Sequence, residues 1–309
     1  MNNFHTPVLL KEISEYLKVE KGKKYIDATI GGGGHSFEIL RRGGTVLGID
    51  VDKEAIEYVK NNFKFQILNF KLKLVRGNFR DIDEIARLNN FEHVKRGFDR
   101  VAGVIFDLGV SSHQIDSPTR GFSFQNEGPL DMRMDQELGV RALDLIKILT
   151  KGELYEIFTK FGEESRAWEI SDAIVRARGV KPIETAGDLA LVIEKAVGMK
   201  KGSASAFAKA SADKKVFQAL RIVVNDELNS IMEALPKALE LLERNGRLCV
   251  ISFHSLEDGI VKRKFIEFEK KNMGRIITKK PIVPTDDEIE KNKRARSAKL
   301  RIFEKYEKT

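Results

Sequence analysis

Short apolar runs and helical periods alternate through the first third of the chain. Residues 24–30 (KYIDATI) predict a strand, the glycines at 31–34 a turn, and residues 35–42 a helix. Three further strands are predicted over 45–50 (TVLGID), 70–76 and 101–108 (VAGVIFDL), with helices over 53–60 and 81–88 between them. Strand, helix, strand at this spacing means a parallel sheet with helices on both faces. Unbroken apolar runs, rather than alternation, suit strands buried on both sides.

That rhythm stops after Leu108. Residues 114–140 are rich in turn formers, and a helical period takes over across 142–149, 153–161, 163–178 and 186–197, punctuated by Gly179 and Pro182. Residues 200–215 are small and polar and read as a mobile loop. A long helical pattern over 217–244 leads to Asn245-Gly246 and a strand over 247–253 (RLCVISF); 275–282 and 298–303 read as late strands. The expectation is an α/β, doubly wound domain built from residues 1–113 and 216–309, interrupted by a helical insert over 114–215.

Composition narrows the class. Of 309 residues, 42% are hydrophobic and 32% charged, enough for a globular core. A single cysteine, Cys249, excludes a disulfide framework or a cysteine-based zinc site, and the five histidines show no metal-binding spacing, so no metal is expected. The sequence has no apolar run of membrane-spanning length, and Met1–Glu12 lacks a signal-peptide pattern; a cytoplasmic location and no membrane partner are expected. Charge is uneven. Residues 260–309 hold 16 Lys+Arg against 8 Asp+Glu, while the rest balance at 38 each. A basic end on a neutral body points to a polyanion, nucleic acid before membrane.

The candidate chemistry sits at strand ends. Asp27-Ala-Thr-Ile-Gly31-Gly-Gly33 closes a strand and opens a helix, where glycines allow a sharp turn and close ligand approach. Ser36 occupies the third glycine position of the dinucleotide fingerprint, which argues against a nicotinamide enzyme. An acidic residue four positions before the first glycine resembles the S-adenosylmethionine loop of class I methyltransferases. After the second strand, Asp52 is the preferred acceptor for ribose hydroxyls, and Asp50 reads as a helix cap or a binder of loop amides. Phe79 suits either an adenine face or the core. Asp107, ending the fourth strand, suits either a ligand site or a helix cap, with Gln114 within reach of the same crevice.

Longer strings carry a resemblance. His5-Thr-Pro-Val-Leu-Leu10, Asp27-x-Thr-x-Gly31-x-Gly33-Gly34-His35-Ser36, Asp107-Leu-Gly-Val-Ser-Ser112, Arg120-Gly-Phe-Ser-Phe124, Gly128-Pro-Leu-Asp-Met-Arg-Met-Asp135, Phe217-Gln-Ala-Leu-Arg-Ile222, Ile251-Ser-Phe-His-Ser-Leu-Glu-Asp258 and Arg294-Ala-Arg-Ser-Ala-Lys-Leu-Arg301 closely resemble the ribosomal RNA small-subunit methyltransferase H family. The likeness runs from His5 to about Arg301. It implies a class I S-adenosylmethionine-dependent methyltransferase fold, Rossmann-like, with a helical insert. It also implies N4-methylation of a cytosine (cytosine 1402) in the decoding region of 16S rRNA, with 16S rRNA or the small ribosomal subunit as partner. Cofactor contacts carry over to Gly33, Gly34, His35, Asp52, Phe79, Asp107 and Gln114, with His35 read as part of the cradle and not as a base. The chain departs from the family before Phe217, where Lys215-Val216 stand in place of a basic residue and Thr.

The chemical difficulty of such a reaction is the delocalised N4 lone pair. Acceptors on the N–H groups help it become tetrahedral, and Asp107 or a nearby carbonyl is the expected acceptor. Phe122 or Phe124 is the expected stacking face for a base taken out of its helix. Arg120, Asp131, Arg133 and Asp135 suit either phosphates or internal ion pairs; Arg221 and Asn225 suit either RNA or packing. His254, Ser255, Glu257 and Asp258 suit a cytosine pocket or a capped turn. Arg294, Arg296, Lys299 and Arg301 are expected on phosphates. The rivals are methylation of another nucleic acid, such as DNA cytosine N4, and a non-catalytic RNA-binding or ribosome-assembly factor.

Overall fold

Seven strands form one sheet in the computed structural model: β1 Lys24–Asp27, β2 Thr45–Asp50, β3 Leu72–Arg76, β4 Val101–Asp107, β5 Leu242–Ser252, β6 Gly274–Ile276 and β7 Lys299–Lys305. Described are residues 6–69, 71–91, 100–123, 128–198 and 206–306. The order is β3-β2-β1-β4-β5-β7-β6, with β1 to β5 mutually parallel and β7 antiparallel to both neighbours. This is the Rossmann-like, doubly wound class I methyltransferase arrangement that the resemblance implies.

The strands are apolar on both sides because both sides are covered. Ile26, Leu47, Val104, Phe106, Leu248 and Val250 enter one core. Their neighbours Tyr25, Val46, Ile105, Cys249 and Ile251 enter another. Successive residues point to opposite faces, so continuous burial needs continuous apolar sequence. Cys249 is part of this packing, and burial pushes its thiol up to about 12, which leaves it inert at neutral pH. In β5 the register against β4 slips between Val101 and Gly103, with Asn245 at φ 64 in the slipped segment, so the strand starts earlier than its apolar run.

The chain divides into two units, Met1–Ser111 with Leu228–Thr309, and Ser112–Glu227. In the second, the helices Ala142–Ile148, Lys151–Lys160, Ala167–Val180, Ala186–Gly198 and Ala206–Asn225 bury Ile146, Leu154, Phe158, Ile170, Leu189, Ile193 and Leu220. The segment 206–215, expected as part of a loop, is the first half of a 20-residue helix. Alternating alanines there favour helix more than the small polar composition suggests; residues 200–205 lie outside the described ones. That helix gives Val216, Phe217, Ala219 and Leu220 to the second unit's core. The chain therefore leaves this unit at Glu227 rather than at 215. The pattern over 217–244 is two helices, Ala206–Asn225 and Glu227–Leu241, broken where Asp226 takes φ 48.

The strings at 120–135 hold this unit together. Gly121 sits at φ 70, and a Cβ there would lie 2.2 Å from the Pro129 carbonyl oxygen. Buried Arg120 donates from Nη2 to the carbonyls of Arg133 and Met134 at 3.2 and 2.9 Å. Arg133 forks onto Asp131 at 2.7 and 2.8 Å. Asn225 donates to Met132 O at 2.8 Å and accepts from Met134 N at 2.7 Å, while Arg221 forks onto Glu227 at 2.8 and 2.9 Å. Of the two readings offered for these residues, the internal one is what the structure shows. Asn225→Ala is expected to destabilise the protein by about 2 kcal/mol, since two backbone groups lose their partner; urea denaturation measures it.

Candidate active site

The carboxyl ends of β3, β2, β1 and β4 line one edge of the first unit, the edge at which open α/β sheets bind ligands. The glycine turn leaves β1 there. Gly31 and Gly33 take φ 48 and 78, and Gly33 is the N-cap of the helix Gly34–Arg41. A Cβ on Gly33 would stand 3.1 Å from the Phe63 ring, so both conformation and packing require glycine. The helix begins without a side-chain cap, and its first amides carry the positive end of the helix dipole.

Asp50 fixes the turn. One of its oxygens accepts from Gly31 N at 2.9 Å and the other from Asp52 N at 2.9 Å, tying β2 to the loop as the amide-binding reading held. Burial pushes its carboxyl up to about 6, against the pull of those two amides, so it is ionised at neutral pH. Asp52 is buried and caps the helix Lys53–Asn62 through Glu54 N at 3.0 Å. Capping thus falls to the residue preferred for ribose, and a single carboxylate oxygen suffices for it. Phe79 opens a short turn after β3, half-buried, its ring edge-on to Phe106 at 5.5 Å. The ring packs against the first unit's core while staying only partly buried.

At the end of β4, the backbone N–H of Asp107 donates to Thr29 Oγ1 at 2.6 Å. Its Oδ2 stands 3.5 Å from Nε2 of buried His35. Asp27, also buried, accepts the Ser36 hydroxyl at 2.6 Å. Burial alone lowers the His35 pKa, but the hydrogen bond and charge of Asp107, with the charges of Asp27 and Glu288, raise it overall. Burial raises the Asp27 carboxyl against the opposing charge of His35 and the bond from Ser36. His35 is thus a buried imidazole between two carboxylates. The sequence places Thr29 and Ser36 only within the resembling string at 27–36, without a role for either side chain. Glu288, which accepts Leu9 N at 2.7 Å, brings the C-terminal segment to the start of the chain.

Other expectations are settled locally. His254 and Glu257 form a capping box, Glu257 accepting Phe253 N at 2.8 Å. Asp258 takes Arg301 in a fork of 2.6 and 3.1 Å, and Arg301 is 7% exposed. Arg301 is therefore an internal partner and not an open phosphate contact, because β7 is an interior strand of the sheet. Lys299 shares Asp258 at 3.7 Å, while Arg294 and Arg296 are exposed. Gln114 is buried on the helix Ser112–Asp116 of the second unit. Phe122 is partly buried against that unit's core; Phe124 lies outside the described residues.

This donor set fits a nucleoside with a charged amino-acid tail. It offers uncapped helix amides, a carboxylate after β2, an aromatic face after β3 and a carboxylate at the end of β4. Among the described residues, His35 Nδ1 has no hydrogen-bond partner. No helix among the described residues is long and apolar enough to cross a membrane.

Comparison with known proteins agrees. The model of the MraW methylase family matches residues 2–306. A protein of Carboxydothermus hydrogenoformans named ribosomal RNA small subunit methyltransferase H is 44% identical, covering 97% of each chain. Proteins of the same name from Halothermothrix orenii and Clostridioides difficile are 42% and 40% identical, covering 97% and 99% of this chain and 98% and 100% of their own. The chain therefore belongs to the MraW methylase family and is a methyltransferase with S-adenosylmethionine as its methyl donor.

Proposed function

We propose that this methyltransferase modifies N4 of a cytosine in the decoding region of 16S rRNA, cytosine 1402 by family resemblance. The observation that carries the reading is near full-length similarity, at 40–44% identity, to proteins named for methylation of small-subunit rRNA. The site supports it. S-adenosylmethionine supplies a methyl group on a positively charged sulfur, already activated for transfer. The protein's task is alignment and help to the amine.

The amides of Gly33, Gly34 and His35 cradle the cofactor's tail, Asp52 its ribose and Phe79 its adenine, with Gln114 completing the set. Asp107 accepts a hydrogen bond from the N4 amine, which draws electron density onto nitrogen; the N–CH3 bond would form as the S–CH3 bond breaks, with its electron pair left on sulfur in S-adenosylhomocysteine. The N4 proton then departs toward Asp107 or solvent. The sequence after Asp107 lacks the paired prolines and aromatic of DNA amino-methyltransferases, so base stacking falls to other residues. The first unit is the catalytic one, and the second recognises substrate. The partner is 16S rRNA or the small ribosomal subunit, in the cytoplasm.

The test maps the methyl group. Purified protein is incubated with labelled donor and small subunits from cells lacking the gene, with naked rRNA and DNA in parallel, followed by nucleoside mass spectrometry. N4-methylcytidine in the decoding region is the expected product. Label on carbon, on ribose or on DNA sinks the reading. No transfer, with cofactor bound, would instead favour the assembly-factor alternative.

A further inference from the structure

The basic C-terminal sixth of the chain holds a cavity of about 270 Å³ away from the glycine loop, between the helix Ser255–Lys270, the edge strand β6 and its neighbour β7. Its floor is apolar, made by Phe265, Ile276 and Ile266, the last 36% exposed. Lys262 and Lys279 stand on its rim, both exposed. Neither has a carboxylate partner among the described residues. Arg301 is neutralised by its fork onto Asp258, while Glu269 keeps its negative charge on the lining and is turned to the Ile276 amide at 2.8 Å. The hydroxyl of buried Thr278 completes the lining and accepts Ile302 N at 2.9 Å. With Lys262 and Lys279 against the single carboxylate of Glu269, the lining keeps a net positive charge over an apolar floor, which suits a ligand with a flat apolar part and a negative charge.

We infer that this cavity seats a nucleotide of the single-stranded RNA substrate outside the reaction centre, its base on the Ile266–Phe265–Ile276 floor and its phosphate between Lys262 and Lys279. The inference rests on the RNA reading above and adds a second point of contact to it. Size agrees: the volume suits one nucleotide rather than a helix groove. Charge agrees: the last fifty residues carry the whole excess of the protein. Position agrees as well. Asp107 pairs with Ile251 and Ile251 with Leu300, next to Arg301 in the cavity wall. Two strand spacings of about 4.8 Å separate Asp107 from that wall, a span that two or three nucleotides of extended RNA bridge. Basic side chains over apolar and aromatic surface are the usual components of single-strand binding.

The test compares three variants of the full-length protein. Lys262→Glu/Lys279→Glu removes the rim charges, Ile266→Trp fills the mouth without changing charge, and Lys270→Glu/Lys280→Glu reverses two exposed lysines outside the cavity. Methyl transfer to small subunits and anisotropy of a labelled RNA oligomer are both measured. The rim variant is expected to raise KM for RNA about tenfold, with kcat at saturation and cofactor affinity unchanged, and to reduce the salt slope of binding by about 0.7 for the one single-strand phosphate lost. Ile266→Trp is expected to raise KM several-fold, with the salt slope intact. An unchanged KM in both variants overturns the inference. So does an equal effect of the outside reversal, which would mean a diffuse basic face. If wild-type protein transfers no methyl group to rRNA, the function proposed above fails instead, and that result is read before any variant is made.

Discussion

Asp107→Asn is expected to slow methyl transfer about a hundredfold or more, while weakening cofactor binding no more than about tenfold. The two effects separate because the substitution keeps the shape of the β4 end and the backbone bond from Asp107 N to Thr29. What is lost is the negative charge at the end of β4, 3.5 Å from His35, to which the proposed function gives the role of acceptor for the amine. The hydrogen bond and charge of Asp107 are the leading influences raising the His35 pKa, so the variant should lower that pKa, read from the imidazole resonances in an NMR titration. Stopped or slowed turnover with a lowered His35 pKa and intact cofactor binding places Asp107 in the chemistry. Unchanged turnover removes it. A loss of cofactor binding as large as the loss of rate would make Asp107 a binding residue alone.

The sheet was legible in the sequence because each strand's signal is local. An apolar run that must fill both faces leaves no polar position, and residues 45–50 match β2 from end to end. The edges were less legible. β6 runs Gly274–Ile276 and so keeps only Arg275 and Ile276 of the expected 275–282, and Ile282 pairs with Leu300 through an isolated bridge. An outer strand has one neighbour, so its length depends on that neighbour and not on its own residues.

The candidate site was legible as a list of residues, but not in how they share work. Asp50 and Asp52 look alike in sequence; only the fold reveals that Asp50 binds Gly31 and that Asp52 caps the next helix. Thr29 and Ser36 stand in the resembling string at 27–36, which says nothing of what their side chains touch. They matter because β1 and β4 are neighbours, which brings Thr29 to Asp107 across 78 residues. The same limit explains the basic C-terminal sixth. Charge counting treated Arg301 like Arg296, but strand pairing buries one and exposes the other.

Strand pairing also sets up the largest expected change in stability. Arg247 of β5 lies opposite Glu304 of β7, and Glu304 lies opposite Arg275 of β6. One carboxylate serves both guanidinium groups: Oε2 takes Arg247 at 3.0 and 2.8 Å, and Oε1 takes Arg275 at 2.8 and 2.5 Å. Arg247 and Glu304 have side chains only 8% and 7% exposed, whereas Arg275 is 62% exposed. Glu304→Leu leaves Arg247 buried without a counter-charge and is expected to cost about 3–5 kcal/mol. Arg275→Leu breaks an outer pair and should cost less than about 1 kcal/mol. Replacing both inner partners, as Arg247→Met/Glu304→Leu, is expected to recover most of the loss, because no charge is then stranded. Acid supplies an independent check. Burial raises the Glu304 pKa, but the bonds and charges of Arg247 and Arg275 outweigh it and hold the carboxyl below its ordinary value. A carboxyl lowered in the folded state stabilises fully above its unfolded pKa of about 4.3, and that contribution fades as pH falls through the folded value. The urea midpoints of wild type and Glu304→Leu should therefore stand furthest apart near neutrality and converge below about pH 4. A gap that stays constant with pH would mean that the variant fails through packing and not through the lost charge.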